Sequence, residues 1–249
     1  MKHLTLILLG ISTLAFAQQS PNWNRADQDP KATEQWEPEP EVVTPGEANS
    51  DAPSDAIVLF DGTNLDSWKS KSGEAVEWTM EDGAMEVKAG AGAITSKEKF
   101  GDMQLHLEWA SPEVVEGKGQ QRGNSGVFLM GRYEIQILDS YENRTYSNGQ
   151  AGSIYKQQPP AVNACRPSGE WQTYDIFFEA PIFGEDGQLR RPAYATVIHN
   201  GILIHHHVAL KGPTQYKGLP VYKAHGDAPI MLQDHGNPVR YRNIWARKL

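Results

Sequence analysis

The stretch RYEIQILDSY, Arg132–Tyr141, alternates apolar and polar side chains with a period of two. The polar side carries Glu134 and Gln136. The apolar side carries three core-type residues: Tyr133, Ile135 and Ile137. This period is that of a β-strand whose apolar side packs on a core while the other side faces water or a ligand. A carboxylate beside an amide suits either a solvated face or a site that binds sugar hydroxyls.

Runs of the same type recur from residue 55 to the C-terminus, among them AIVLF, MQLHLEWA, SGVFLM and PIMLQDH. Turn sequences separate them, for example Asp61-Gly62, Asp82-Gly83 and the two-residue hairpin signal Asn200-Gly201. No segment keeps a 3.6-residue period over three turns. The pattern predicts a single all-β domain over residues 55–249, a β-sandwich of jelly-roll type.

The N-terminal sequence has the features of an export signal. It begins with Lys2, continues through the apolar run Leu4–Leu14 and offers Ala15-Phe16-Ala17 as a cleavage site. Because the apolar run is too short to span a bilayer, we predict a signal peptide over residues 1–17 and a periplasmic or secreted protein without a transmembrane segment. A single cysteine, Cys165, excludes an internal disulfide.

The next segment, residues 18–54, has the composition of a tether. It holds eight acidic residues, two basic residues and six prolines, and it has few apolar side chains. Such a segment cannot repay the entropy of ordering, so we predict a disordered or extended N-terminal tether. The whole chain has a formal net charge of −8 (23 basic and 31 acidic residues), which makes nucleic acid an unsuitable partner.

Two motifs carry candidate chemistry of other kinds. GNSG, Gly123–Gly126, is similar to the turn around a nucleophilic serine, but its surroundings supply no recognisable histidine base and carboxylate. In the run His205-His206-His207 the first and third histidines share a strand face, which is the spacing of a metal-binding pair. With His235 as a conceivable third ligand, a divalent metal ion and hydrogen-bonding histidines both stay open.

Polar groups also face away from the core in other predicted strands. In MQLHLEW the core side is Met103, Leu105, Leu107 and Trp109, and the opposite side is Gln104, His106 and Glu108. In VRYRNIW one side holds Arg240 and Arg242, and the other holds Tyr241, Asn243 and Trp245. In IMLQDH the polar side holds Gln233 and His235. Repeated Glu, Gln, His and Arg on the outer faces predict one polar cleft across a curved sheet.

The wording and order of several stretches carry a resemblance: IVLFDGTNLDSW, LHLEW, GNSGVFLMGRYEIQILD, GSIYKQQPP and PIMLQDHGNPVRYRNIWARKL. From about Asp55 to the C-terminus, the chain resembles the 3-keto-disaccharide hydrolase family. The resemblance implies a concanavalin A-like jelly-roll sandwich of two antiparallel sheets, a secreted location, and cleavage of sugars already oxidised to a ketone at C3. It also implies an upstream oxidoreductase that makes the ketone. The protein itself would then act as a hydrolase or a lyase.

A ketone at C3 acidifies the hydrogen at C2, so the reaction needs a base, a partner for the enolate oxygen and an acid for the leaving oxygen. Glu134 is the predicted base, with Glu108 or His235 as competitors. The predicted catalytic residues are Glu134, His235, Arg242 and Lys156. The predicted substrate-binding residues are Glu108, Arg122, Asn124, Gln136, Asp139, Tyr155 and Gln233. No metal ligands are assigned, and a divalent metal ion that polarises the ketone stays open.

Two rival functions use the same architecture. Retaining glucanases of this fold carry Glu-x-Asp-x-x-Glu on one strand, and EIQILD departs from that pattern with Gln136 in the middle and Asp139 at the end. Such hydrolysis requires two carboxyl groups about 5–5.5 Å apart. The second rival is a carbohydrate-binding module that uses tryptophans as stacking platforms: Trp68, Trp78, Trp109, Trp171 and Trp245.

Overall fold

The computed structural model describes residues 30–70 and 72–249. The predicted signal peptide and its cleavage site near Ala17 lie outside the described residues. The chain forms two compact units, one that ends at Val42 and one from Val43 to Leu249. The described part of the first unit contains a short 3-10 helix, Pro30–Thr33. None of the helices that the structure describes is long and apolar enough to cross a membrane.

Within the described residues the second unit contains fifteen strands, numbered in chain order. They are β1 (Ile57–Phe60), β2 (Trp68–Ser70), β3 (Thr79–Glu81), β4 (Ala84–Glu86), β5 (Ile94–Phe100), β6 (Met103–Ala110), β7 (Ser125–Leu129), β8 (Tyr133–Ile137), β9 (Gln172–Glu179), β10 (Ile182–Phe183), β11 (Leu189–Arg191), β12 (Tyr194–His199), β13 (Ile202–Ala209), β14 (Ala228–Leu232) and β15 (Arg240–Lys248). Two more 3-10 helices, Gly119–Gln121 and Ser147–Gly149, lie in loops.

The strands form two large antiparallel sheets. The eight-stranded sheet has the order β13-β12-β9-β6-β15-β4-β3, with β1 also paired to β15, and the five-stranded sheet has the order β2-β5-β14-β7-β8. Strands β10 and β11 make a separate ribbon. Apolar side chains from the facing sides of both sheets form one core, including Leu105, Leu107, Ile135 and Ile230. The predicted all-β jelly-roll sandwich is therefore confirmed.

The alternation predicted for β15 is wrong after Arg242. Asn243 has a φ of 46°, and the pairing of β15 with β6 shifts between Arg242 and Trp245. This β-bulge inserts one residue and reverses the faces that follow it. Tyr241 points into the core before the bulge, and Ile244 and Ala246 point into it afterwards. The Trp245 ring instead stacks on His106 at a centroid distance of 5.2 Å.

The residues just before the predicted domain boundary at Asp55 lie against this bulge. The carbonyl oxygen of Ser50 accepts hydrogen bonds of 2.9 Å from both Asn243 Nδ2 and Trp245 Nε1. Thr44 and Ser54 bond to each other and close the segment into a loop. This part of the predicted tether thus covers the outer face of the eight-stranded sheet at β15. The division of the chain at residues 17 and 54 stays a prediction.

Candidate active site

A cleft of about 520 Å³ lies on the outer face of the five-stranded sheet. Strands β7 and β8, the end of β14 and three loops supply its walls. The lining residues are Gln120, Gln121, Asn124, Phe128, Glu134, Gln136, Tyr146, Tyr155, Lys156, Thr214, Tyr216, Gln233 and His235. Seven of the eleven residues predicted from the sequence are among them: Glu134, His235, Lys156, Asn124, Gln136, Tyr155 and Gln233.

Glu134 and Gln136 enter the cleft because β8 alternates as its sequence predicts. Their neighbours Tyr133, Ile135 and Ile137 are fully buried in the core. On the adjacent strand, Gly126 leaves the space that the Glu134 carboxyl group occupies. A Cβ atom on Gly126 would lie 2.6 Å from Glu134 Oε1, which is closer than non-bonded atoms allow. A side chain at this position would therefore displace the Glu134 carboxyl group from where it lies in the cleft.

The environment of Glu134 makes its charged form unfavourable. The residue is only 4% exposed. Among the described residues its carboxyl group has no hydrogen-bond or ion-pair partner. Burial without a compensating cation raises the pKa of Glu134 to about 8. A carboxyl group of this kind accepts a proton more strongly than an ordinary glutamate once it is ionised.

Strand β8 is the edge of its sheet, and two loops occupy that edge. The Tyr155 N–H donates to the Glu134 carbonyl (3.2 Å), and the Gln136 N–H donates to the Ser153 carbonyl (2.9 Å). The second loop connects β13 to β14, and its Thr214 hydroxyl accepts a hydrogen bond from the Glu134 N–H at 3.0 Å. These contacts anchor one loop at the backbone carbonyl of Glu134 and the other at its backbone N–H.

The two loops bring three tyrosines around one lysine. The hydroxyls of Tyr146 and Tyr155 form a 2.7 Å hydrogen bond. Lys156 Nζ lies 5.8 Å from both of their ring centroids and 4.2 Å from that of Tyr216. Burial raises the pKa of Tyr155, and the hydrogen bond with Tyr146 raises it further. The phenol therefore keeps its proton at neutral pH and is available as a hydrogen-bond donor.

Amide groups form the floor of the cleft beside Glu134. Gln136 Nε2 donates to Gln120 Oε1 at 3.2 Å and to Asn124 Oδ1 at 3.3 Å. Gln136 Oε1 is buried and has no partner among the described residues. An unsatisfied buried acceptor is costly, so a ligand hydroxyl that donates to it would be bound favourably.

Two predicted substrate-binding residues, Arg122 and Asp139, do not lie in the cleft. They line a smaller pocket of about 180 Å³. Arg122 Nε donates to Asp139 Oδ2 at 2.8 Å, and the Ser168 hydroxyl donates to the same oxygen at 2.6 Å. Asp139 is therefore held by a structural ion pair. It does not supply a second carboxylate among the residues that line the cleft.

Glu108 and Arg242, also predicted for the site, lie on the outer face of the eight-stranded sheet. Arg242 Nε donates to Glu108 Oε2 at 2.6 Å, and the guanidinium packs on the Trp171 ring. His106, whose Nε2 lies 4.0 Å from Glu108 Oε1, lowers the pKa of Glu108 to about 2 together with Asn243 and Arg242. The prediction of one cleft that collects all the polar faces is thus wrong, because the faces belong to different sheets.

The histidine run does not form the proposed metal pair. His205 is buried, and its Nε2 donates to the Gly152 carbonyl at 2.8 Å. His207 stacks on Tyr194 at a centroid distance of 4.3 Å and bonds to Glu179. His235 lines the cleft. Within residues 30–70 and 72–249, no three His, Cys, Asp or Glu side chains are grouped as metal ligands.

Comparison with known proteins identifies the family of the chain. Residues 55–247 match the family model described as a 3-keto-alpha-glucoside-1,2-lyase-like domain. The chain belongs to this family. The resemblance found in the sequence is confirmed by this match. No curated protein matches the chain significantly.

Solved structures are consistent with this family assignment. A proposed glycosyl hydrolase from Parabacteroides distasonis ATCC 8503 is 50% identical, with a TM-score of 0.85 over 88% of this chain and 96% of that one. A second proposed glycosyl hydrolase from the same organism is 19% identical, with a TM-score of 0.58 over 78% of this chain and 94% of that one, and it is similar in fold alone. Family membership and the first likeness support a glycoside-cleaving enzyme.

Sequence reasoning missed six residues that line the cleft: Gln120, Gln121, Phe128, Tyr146, Thr214 and Tyr216. Phe128 is on β7, where the same alternation that identified Glu134 would have found it. The others lie in loops or a 3-10 helix, which have no period that predicts direction. None of the tryptophans considered as stacking platforms lines the cleft. Trp68, Trp78 and Trp109 are in the core instead.

Proposed function

We propose that the protein cleaves 3-keto-glycosides by removing the proton at C2 and eliminating the substituent at C1. One observation carries this proposal: the cleft contains a single buried carboxyl group, Glu134, with no cation paired to it among the described residues. A lone base is what proton abstraction next to a ketone needs. Direct glycoside hydrolysis by the usual route needs two carboxyl groups, and Glu134 is the only acidic residue among those that line the cleft.

In the first step Glu134 takes the C2 proton, and the C2–H electron pair forms a C2–C3 double bond while the C3 oxygen becomes an enolate. The enolate needs hydrogen-bond donors or a cation at that oxygen. Lys156 on the cleft wall is the cation, and the Asn124 amide on the floor has a second N–H besides the one that it donates to the Gln120 carbonyl. In the second step the enolate reforms the C3 carbonyl, C1 and C2 become doubly bonded, and the C1–O bond breaks with its electrons on oxygen.

Tyr155 is the proposed acid for the leaving oxygen. Its hydroxyl keeps its proton at neutral pH, and the 2.7 Å hydrogen bond to Tyr146 provides a route for replacing that proton from the cleft mouth. The product is an unsaturated ketone if the reaction stops here. Addition of water to C1 would instead give the hydrolysed sugar, so the same residues serve a lyase or a hydrolase.

The chemistry implies a place in a reaction sequence. An ordinary glycoside has a hydroxyl at C3, and its C2 hydrogen is not acidic enough for this base. An oxidoreductase that converts the C3 hydroxyl to a ketone must therefore supply the substrate. The N-terminal segment supports export, and we propose that the protein acts in the periplasm or outside the cell.

Proton NMR in heavy water tests the proposal, with a methyl 3-keto-glucoside as substrate and the unoxidised methyl glucoside as control. We expect release of methanol from the ketone alone, with deuterium at C2 in any substrate that returns unreacted or product that has been hydrated. Release from both sugars without exchange would instead indicate a conventional glycosidase. Release from neither would favour a binding module.

A further inference from the structure

A second depression adjoins the cleft and shares one wall with it. This groove has a volume of about 540 Å³. Four residues line both cavities: Tyr146, Tyr155, Lys156 and Tyr216. The loop between β13 and β14 supplies most of the remaining wall, namely Lys211, Gln215, Gly218, Leu219 and Pro220. Tyr155, the proposed acid for the leaving oxygen, is part of this shared wall, so the C1 substituent of a reacting glycoside must lie next to it.

The groove presents apolar surface to water. Tyr216 is 69% exposed and Leu219 is 87% exposed, so both side chains would gain from being covered by an apolar ligand. The Gln157 side chain, although it lines the groove, is not free to bind a ligand, because its amide is already hydrogen-bonded within the protein. Its Nε2 donates to the Gly212 carbonyl at 2.9 Å, and its Oε1 accepts from the Lys211 N–H at 2.7 Å. None of the groove-lining residues is acidic.

Charge at the junction favours an electron-rich group. Lys156 Nζ lies between the two cavities, donates to the Tyr216 carbonyl at 2.8 Å and sits 4.2 Å from the Tyr216 ring centroid. Lys211 adds a second cation to the groove. Two lysines without an acidic residue in the groove lining stabilise negative charge that develops on a leaving oxygen.

We infer that this groove is the leaving-group subsite and that it takes an aromatic group joined to C1 through oxygen, that is, the phenol portion of an aryl glycoside. The inference rests on the proposed function and names the substrate class for it. When the C1–O bond breaks, its electron pair stays on the phenol oxygen, which takes the proton of the Tyr155 hydroxyl. No further reagent is required.

Binding of unreactive ligands tests the groove separately from the chemistry. The dissociation constants of methyl glucoside, phenyl glucoside and a glucose disaccharide are measured by calorimetry with the full chain, using both anomers. Covering the phenyl ring is expected to make the phenyl glucoside bind about tenfold more tightly than the methyl glucoside. Leu219→Asp should remove most of that advantage and leave the methyl glucoside unaffected. Val221→Asp is the matched control, because Val221 is 67% exposed on the same loop but does not line the groove.

Equal or absent binding of the phenyl and methyl glucosides would overturn the inference. A disaccharide that binds more tightly than the phenyl glucoside would also overturn it, in favour of a second sugar. Kinetics with the corresponding 3-keto-glucosides separates the two proposals. Cleavage of methyl and phenyl substrates with the same KM refutes the groove alone. Failure to cleave either substrate, together with phenyl-selective binding that Leu219→Asp removes, refutes the reaction and supports the groove.

Discussion

Replacing Glu134 with glutamine should stabilise the protein in alkaline solution. An ordinary glutamate has a pKa of 4.5, whereas that of Glu134 lies at about 8 because the group is buried without a cation. Between these pH values the folded state keeps a proton that the unfolded state releases, so stability falls as the pH rises from 4.5 and the full cost is reached above 8. At about 1.4 kcal/mol for each pKa unit, the cost is at most about 5 kcal/mol. Glutamine fills the same space and does not ionise.

Urea unfolding at pH 5 and pH 9 measures the effect. The free energy of unfolding of Glu134→Gln minus that of the wild type should be close to zero at pH 5 and rise by about 2–5 kcal/mol at pH 9. Glu81→Gln is the control, because Glu81 is an exposed carboxylate on β3 and its replacement should give the same difference at both values. If the Glu134→Gln difference does not change with pH, the carboxyl group is solvated or paired in solution and the proposed base loses its physical support. Activity should fall by a factor of about 10²–10⁴ in the same variant.

Four further changes test the site and its scaffold. The value of kcat/KM should rise with pH and level off above about 8, because Glu134 must be ionised to accept a proton; a flat profile would exclude it as the base. Gly126→Ala should lower kcat/KM at least about tenfold, since the new methyl group displaces the carboxyl group of Glu134; circular dichroism checks that the fold is kept. Tyr155→Phe should slow substrates with poor leaving groups more than those with good ones, whereas an equal loss for both would indicate a role in binding only. Glu108→Gln should cost about 2–3 kcal/mol at pH 7, and the difference from the wild type should disappear as the pH falls from 4.5 through about 2, which unfolding at a series of acidic pH values would reveal.

The sequence predicts the direction of side chains wherever a strand is regular. Alternation identified the buried and outward sides of β6 and β8 correctly, because a period of two fixes the face of each residue. It failed at β15, where Asn243 adopts a left-handed backbone conformation that non-glycine residues seldom adopt. The reversal that follows places Trp245 on the outer face of the eight-stranded sheet, where it is buried against His106.

The alternation of polar and apolar side chains does not determine which of the two sheets a strand joins. Glu108 and Glu134 have similar patterns around them, yet one lies on the eight-stranded sheet and the other on the five-stranded sheet. Their separation depends on long-range pairing, which a single sequence does not encode locally. Tyr146 and Tyr216 were missed for a related reason, since loop contacts to the edge of β8 decide where these rings lie.

The loops that cover the edge of β8 also protect the protein against self-association. A free strand edge offers unpaired N–H and C=O groups to any other extended chain and so invites aggregation. In this protein the outward backbone groups of Arg132, Glu134 and Gln136 are all occupied by the chain's own loops. Beyond the residues that make these bonds and beyond Lys156, those loops can change in length and composition without shifting the register of β8, because that register is set by its pairing with β7. The arrangement therefore allows the cleft lining to vary through the loops while the Glu134 carboxyl group and the protection of the edge are both retained.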